Sequence, residues 1–166
     1  MRATAYRILL VSIAIAAVAP TGAVDAREAV TFTPFTLPAA GRCGFPVYVT
    51  AVKDTEYQDV TTLPDGTTVT LTTGRLVLSF TNTDTGFTLV RNVSGPATVI
   101  SHPDGTGTFI GEGPSWWAFG PVSQANTGQP ALFFTNGLAV LQFANGFVSS
   151  FSLAGEQVNG CDLLAP

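Results

Sequence analysis

The sequence has one histidine, two cysteines, one methionine and little charge, with only 11% of its residues ionised. One His and two Cys cannot supply the nitrogen and sulfur ligands of a usual zinc centre, which excludes that chemistry. The sole histidine, His102, stands directly before the turn-forming Pro103-Asp104-Gly105, and no Gly-x-Ser-x-Gly elbow is present, so a serine-hydrolase triad is not expected. Cationic residues are also scarce: 7 Lys and Arg stand against 11 Asp and Glu, a formal charge of −4. An acidic chain has no electrostatic grip on phosphate backbones, which excludes nucleic acid as a partner. Phosphate-cradling glycine loops and dinucleotide fingerprints are missing too, so no cofactor is expected. The one uninterrupted apolar-and-small run, Ile8 to Ala19, is shorter than the ~20 residues a spanning helix needs, and no transmembrane segment is expected once it is cleaved.

That run is instead part of an export signal. Arg2 and Arg7 supply the positive start, and small residues follow Pro20. Cleavage is expected after Ala26, with Ala23 a second possible site and Ala19 disfavoured by Pro20. Residues 1–26 are thus a signal peptide and 27–166 a single secreted, extracellular all-β domain, of a size suited to one core. Removing Arg2, Arg7 and Asp25 takes the formal charge from −4 to −5. In an oxidising compartment the two cysteines, Cys43 and Cys161, are expected to pair. A catalytic thiol would require a base, and His102 is the only imidazole available.

Thr, Val, Phe and Gly are abundant, and short alternating runs are separated by turn dipeptides. This pattern predicts an antiparallel β-sandwich or β-barrel closed by one disulfide, with no helix in the mature chain. Strands are expected at 29–37, 45–53, 55–62, 67–72, 75–81, 86–92, 96–101, 107–111, 115–119, 131–135, 138–144 and 147–153. Asn136-Gly137 and Asn145-Gly146 each lie between apolar runs, as two-residue type I′ turns require. They predict a three-stranded meander in which Phe133 faces Val140 and Val140 faces Phe151, with Leu138 beside Leu153. Both faces of this meander would be apolar, so each must be covered by this chain, a second copy or a ligand. Pro-Asp-Gly-Thr occurs twice, at 64–67 and 103–106, a faint sign of duplication.

Cys43-Gly-Phe-Pro-Val47, Thr81-Asn-Thr-Asp-Thr-Gly86, Asn92-Val-Ser-Gly-Pro96, the Pro-Asp-Gly turn at 103–105 and Cys161-Asp-Leu-Leu164 follow one another behind the signal peptide. As an ordered set they resemble a group of small secreted actinobacterial proteins to which no activity is attached. The resemblance covers nearly the whole mature chain. It implies a secreted, disulfide-closed β-rich domain and supplies no catalytic residue.

Several residues invite a functional reading. Asn82, Asp84 and Gly86 resemble the opening of a calcium loop, but no glutamate closes it, so a hairpin turn and no metal site are expected. Asp54, Glu56 and Asp59 cluster, and Glu112 adjoins an aromatic segment, which permits carboxylate-dependent catalysis; a solvated strand edge explains the cluster more simply. Residues 111–130 hold seven Gly and Pro around Ser115-Trp-Trp-Ala-Phe119. Trp116, Trp117 and Phe119, with Tyr48 or Tyr57, are the expected ligand-binding residues, an aromatic platform for a glycan or an apolar small molecule. A non-catalytic binding or cell-surface module is therefore expected. Its alternatives are a barrel enclosing a small apolar ligand, a homo-oligomer joined through the 131–153 face, and a small carboxylate enzyme.

Overall fold

The computed structural model describes residues 27–165; the expected signal peptide lies outside them. Twelve strands form: β1 (Glu28–Ala29), β2 (Phe35–Leu37), β3 (Val47–Asp54), β4 (Tyr57–Thr62), β5 (Thr68–Thr73), β6 (Leu76–Asn82), β7 (Thr88–Asn92), β8 (Ala97–Ser101), β9 (Thr106–Gly111), β10 (Pro114–Ala118), β11 (Leu132–Ala144) and β12 (Phe147–Asn159). They build two antiparallel sheets. The larger runs β1-β4-β5-β8-β9-β11-β10 with β12 on the other edge of β11, and the smaller runs β2-β3-β6-β7. Neither sheet closes into a barrel, and the domain is a β-sandwich tied by Cys43–Cys161, whose Cα atoms are 5.1 Å apart. Among the described residues no helix is long and apolar enough to cross a membrane.

The chain passes between the sheets along one seam. Residues 30–34, 54–57, 73–76 and 92–97 all make the crossing there, and they bond one another as they do. Thr55 donates its N–H to the Arg75 carbonyl at 2.8 Å and Val93 to the Leu76 carbonyl at 3.0 Å, while the Ser94 hydroxyl bonds both the N–H and the carbonyl of Leu76. These bonds replace the ladder pairing that a strand loses where it changes sheets.

The expected turn at Asn136-Gly137 does not form. Strand β11 continues through it without a break in pairing, and Phe133 faces Asn159, Val140 faces Ser152 and Leu153 faces Ala139. The meander is one long two-stranded ribbon. Gly137 and Gly155 oppose each other at its middle, and a Cβ on Gly137 would strike the Ala154 carbonyl and Gly155, which is why glycine stands at both places. The ribbon folds over at this pair. A straight strand would hold Phe133 and Leu141 roughly 26 Å apart, yet Phe133 packs with a ring-centre distance of 5.3 Å against Phe151, the cross-strand partner of Leu141.

Asn145-Gly146 does turn the chain, with φ of 52° and 80° as a type I′ turn demands. A bulge between Gln142 and Phe143 then shifts the register by one, so that Leu141 rather than Val140 faces Phe151.

Over Leu132–Thr135 both faces of β11 are covered by this chain, whereas beyond the glycine pair Leu138 is 40% exposed and Gln142 lies at the surface. Leu132 and Phe134 meet Leu37, Val47, Val49, Leu78 and Phe80 of the smaller sheet. On the opposite face Phe133, Ala139 and Leu141 gather with Trp117, Phe119 and Phe151 inside the folded ribbon.

Two helices form where none is predicted: α1 (Pro121–Thr127) and α2 (Gly160–Leu164). Neither has an apolar stripe long enough to give a helical period. The signal for α1 lies in its ends, Pro121 in the first turn and Gly128 in the left-handed conformation after the last. Side chains dock it: Gln124 Nε2 donates to the Gly41 and Phe119 carbonyls, and Asn126 Nδ2 to the Val148 carbonyl.

Candidate functional site

Strand β11 carries β10 and β9 end to end along one edge, Leu132–Asn136 taking β10 and Ala139–Ala144 taking β9. Strand β10 pairs with nothing else, so its second edge is free. Which of its peptide groups are free follows from the ladder. Gly113 and Gly137 exchange both hydrogen bonds, at 3.0 and 3.2 Å, and Phe119 donates to the Ala131 carbonyl at 2.8 Å. Antiparallel alternation then directs the N–H and C=O of Trp116 and Ala118 away from β11. Neither residue's peptide groups find a partner among the described residues. The preceding outward carbonyl, that of Pro114, is already taken by the Gly95 N–H at 2.8 Å.

This free edge lines an open groove of about 790 Å³. Its other walls come from the seam (Glu56, Leu76, Val93, Gly95), from β2 (Phe35, Leu37), from the start of α1, and from Phe147 and Val148 after the Asn145-Gly146 turn. The three expected aromatic residues are all brought here, but on different footings. Trp117 is 6% exposed and Phe119 4%. The Trp117 indole N–H donates to Thr135 Oγ1 at 2.9 Å within the aromatic core of the folded ribbon. Trp116, one residue along, points to the opposite face of β10. It is partly exposed, stacks on Phe35 at 6.1 Å and meets the edge of Phe80 at 5.5 Å. Each of the adjacent indoles therefore anchors one core, and Trp116 alone keeps accessible ring surface. Tyr48 and Tyr57 do not border the groove, and Tyr57 lies beneath the Arg27 guanidinium at 4.6 Å.

The acidic candidates separate. Glu112 is exposed on the β9–β10 connection and Asp59 lies on β4 opposite Leu71; neither lines the groove. Glu56 does line it, and burial, with the Asp54 charge second, pushes its carboxyl above the usual range. Asp54 is spent on structure, accepting the Phe32 N–H at 2.6 Å and the Glu56 N–H at 3.1 Å. His102 is an exposed turn residue whose Nδ1 meets Thr67 Oγ1 at 3.2 Å. Asn82 is 1% exposed. Its amide accepts the Asp84 N–H and donates to the Leu164 carbonyl at 2.9 Å, tying α2 to the β6–β7 turn.

Sequence reasoning passed over Arg42. It lines the groove beside Gly120, just past the C-terminal end of β10, where a Cβ on Gly120 would lie 3.7 Å from Arg42 Nη2. Its Nη1 is buried without a hydrogen-bond partner among the described residues. A buried guanidinium nitrogen left unpaired carries a desolvation cost. The available signal was a cation next to a cysteine in a chain with few cations. The groove thus offers aromatic surface, two unpaired peptide units, one guanidinium and one carboxyl. Compared with known proteins, the chain matches no family, no curated protein and no solved structure.

Proposed function

We propose that the protein is an exported, non-catalytic binding module whose contact surface is the groove along β10. Export rests on the character of residues 1–26, and the Cys43–Cys161 bond accords with an oxidising destination. The observation that carries the binding role is the groove's composition: aromatic surface from Phe35, Trp116 and Phe147 beside a few unsatisfied polar groups, the usual make-up of a recognition cleft. The disulfide and the two aromatic cores hold these walls in place, which spares a ligand the cost of ordering them.

The test uses purified residues 27–166 titrated with oligosaccharides, laurate and peptides, read by tryptophan fluorescence. Trp116→Ala should weaken saturable binding at least tenfold, and Val90→Ala, on the exposed face of β7, should not. Binding indifferent to Trp116→Ala in a protein of unchanged circular dichroism would sink the reading.

A second reading is a carboxylate-dependent hydrolase, favoured by one observation. Glu56 is a groove carboxyl held above its usual range, as a general acid requires. Turnover of chromogenic glycosides that disappears in Glu56→Gln would establish it, and its absence across a panel would dismiss it.

A further inference from the structure

We infer that the groove takes an extended peptide, which adds to the free edge of β10 as a further strand and places a carboxylate on Arg42. The inference rests on the groove being the binding surface and names what fills it. Four main-chain groups, the N–H and C=O of Trp116 and of Ala118, face the groove with the spacing of a strand edge and have no partner among the described residues. A flat ring or an alkyl chain would cover these groups without bonding them, and covered, unpaired peptide groups cost free energy; a peptide strand satisfies all four. At the end of that edge stands Arg42, which borders the groove with its Nη2 beside Gly120. A guanidinium at a groove wall matches a carboxylate, which accepts a charge-assisted hydrogen bond from it. Because Arg42 lies beyond the C-terminal end of β10, a strand parallel to β10 would bring its own C-terminus there. An antiparallel strand would instead offer an acidic side chain. At the opposite end the Gly95–Pro114 bond occupies the edge and limits the added strand to a few residues.

The decisive variant is Ala118→Pro. It deletes only the outward N–H, because the ladder with β11 uses residues 113, 115, 117 and 119, and proline is tolerated on a strand edge in that orientation. The probes are fluorescein-labelled hexapeptide pools of Val, Thr, Ile and Tyr, one with a free C-terminal carboxylate, one amidated, and one amidated with a single internal Asp. Binding is followed by anisotropy against residues 27–166. The free-acid pool should bind saturably, Ala118→Pro should weaken it at least tenfold, and Arg42→Gln should weaken it similarly while abolishing the preference over the plain amide. Preference for the Asp-containing amide would identify an acidic side chain as the carboxylate source. Failure of both carboxylate pools to bind, or equal affinity in Ala118→Pro and wild type, overturns the inference. Should laurate or an oligosaccharide bind in a Trp116-dependent way under those same conditions, the groove survives as the binding surface and the peptide does not. Ligands that ignore Trp116 would remove both.

Discussion

Asp65 and Asp104 occupy the two Pro-Asp-Gly-Thr segments, which fold alike. In each the carboxylate accepts the N–H of the threonine two residues on, at 2.9 Å, and Gly66 of the first turn abuts Pro103 of the second. For Asp65 the leading cause is the Thr67 backbone bond, and for Asp104 the Thr106 hydroxyl; both carboxyls are held below their ordinary 3.8. Glu56 goes the other way, because burial in the groove wall and the neighbouring Asp54 raise it above 4.5. The signs follow from linkage. A lowered acid stabilises the fold above its unfolded value and loses that contribution as pH falls. A raised acid stabilises it below 4.5 and loses that contribution as pH climbs through the folded value. Urea midpoints should therefore rise with pH up to about 3.8 and carry a falling component above 4.5. Glu56→Gln should delete the falling component alone. A midpoint difference between Glu56→Gln and wild type that does not change with pH over that range would contradict the assignment.

The ribbon of β11 and β12 shows how a sequence signal can be outvoted by its surroundings. Asn136-Gly137 has the composition of a hairpin turn, yet Gly137 is used for close backbone approach, with φ of 139° and Gly155 opposite. Nothing local separates these two uses of a glycine. The partner that decides between them, Gly155, lies on the next strand, and Gly113 bonds the other edge. Gly137→Val should therefore drive a side chain into the Ala154 carbonyl and Gly155 of β12 and unfold the corner. The expected loss is roughly 3 kcal/mol or more, the class of effect seen when a side chain meets backbone that cannot yield. Chemical denaturation would measure it, with near-ultraviolet circular dichroism reporting the indole at Trp117. A Gly137→Val protein of wild-type stability would mean that the ribbon does not bend there. Helix α1 was missed for a related reason: with apolar positions too few to give a period, only Pro121 and Gly128 mark it.

Closure of the whole molecule depends on bringing its early and late segments together. Cys43 and Cys161 are 118 residues apart, and Cys161 lies in the first turn of α2, whose Leu164 is fully buried in the core shared with the smaller sheet. In the chain-entropy description, cross-linking so long a loop stabilises the fold by about 4–5 kcal/mol through the unfolded state. Cys43→Ser with Cys161→Ser should lower the unfolding free energy by that order, measured in urea against the oxidised protein. A change below ~1 kcal/mol would show that α2 and Asn82 hold the end without the bond.

Much of this architecture is written in short stretches of chain. Short alternating runs mark β3 to β10 to within a few residues, although the strand expected at 29–37 is split into β1 and β2 and β12 runs on past 153, while Asn145-Gly146 specifies its turn and two cysteines can pair in only one way. These features depend on a residue and its near neighbours, or on simple counting. The groove is of another kind. An unpaired edge exists because β9 and β10 divide one side of β11 between them, and because the chain changes sheets four times at one seam. Arg42 stands at the end of that edge only because α1 docks Gly41 onto Pro121. Local alternation tells a residue which face it takes, but the strand lying beside it is chosen by contacts distant in sequence. For that reason the fold class could be read from the chain, and the groove could not.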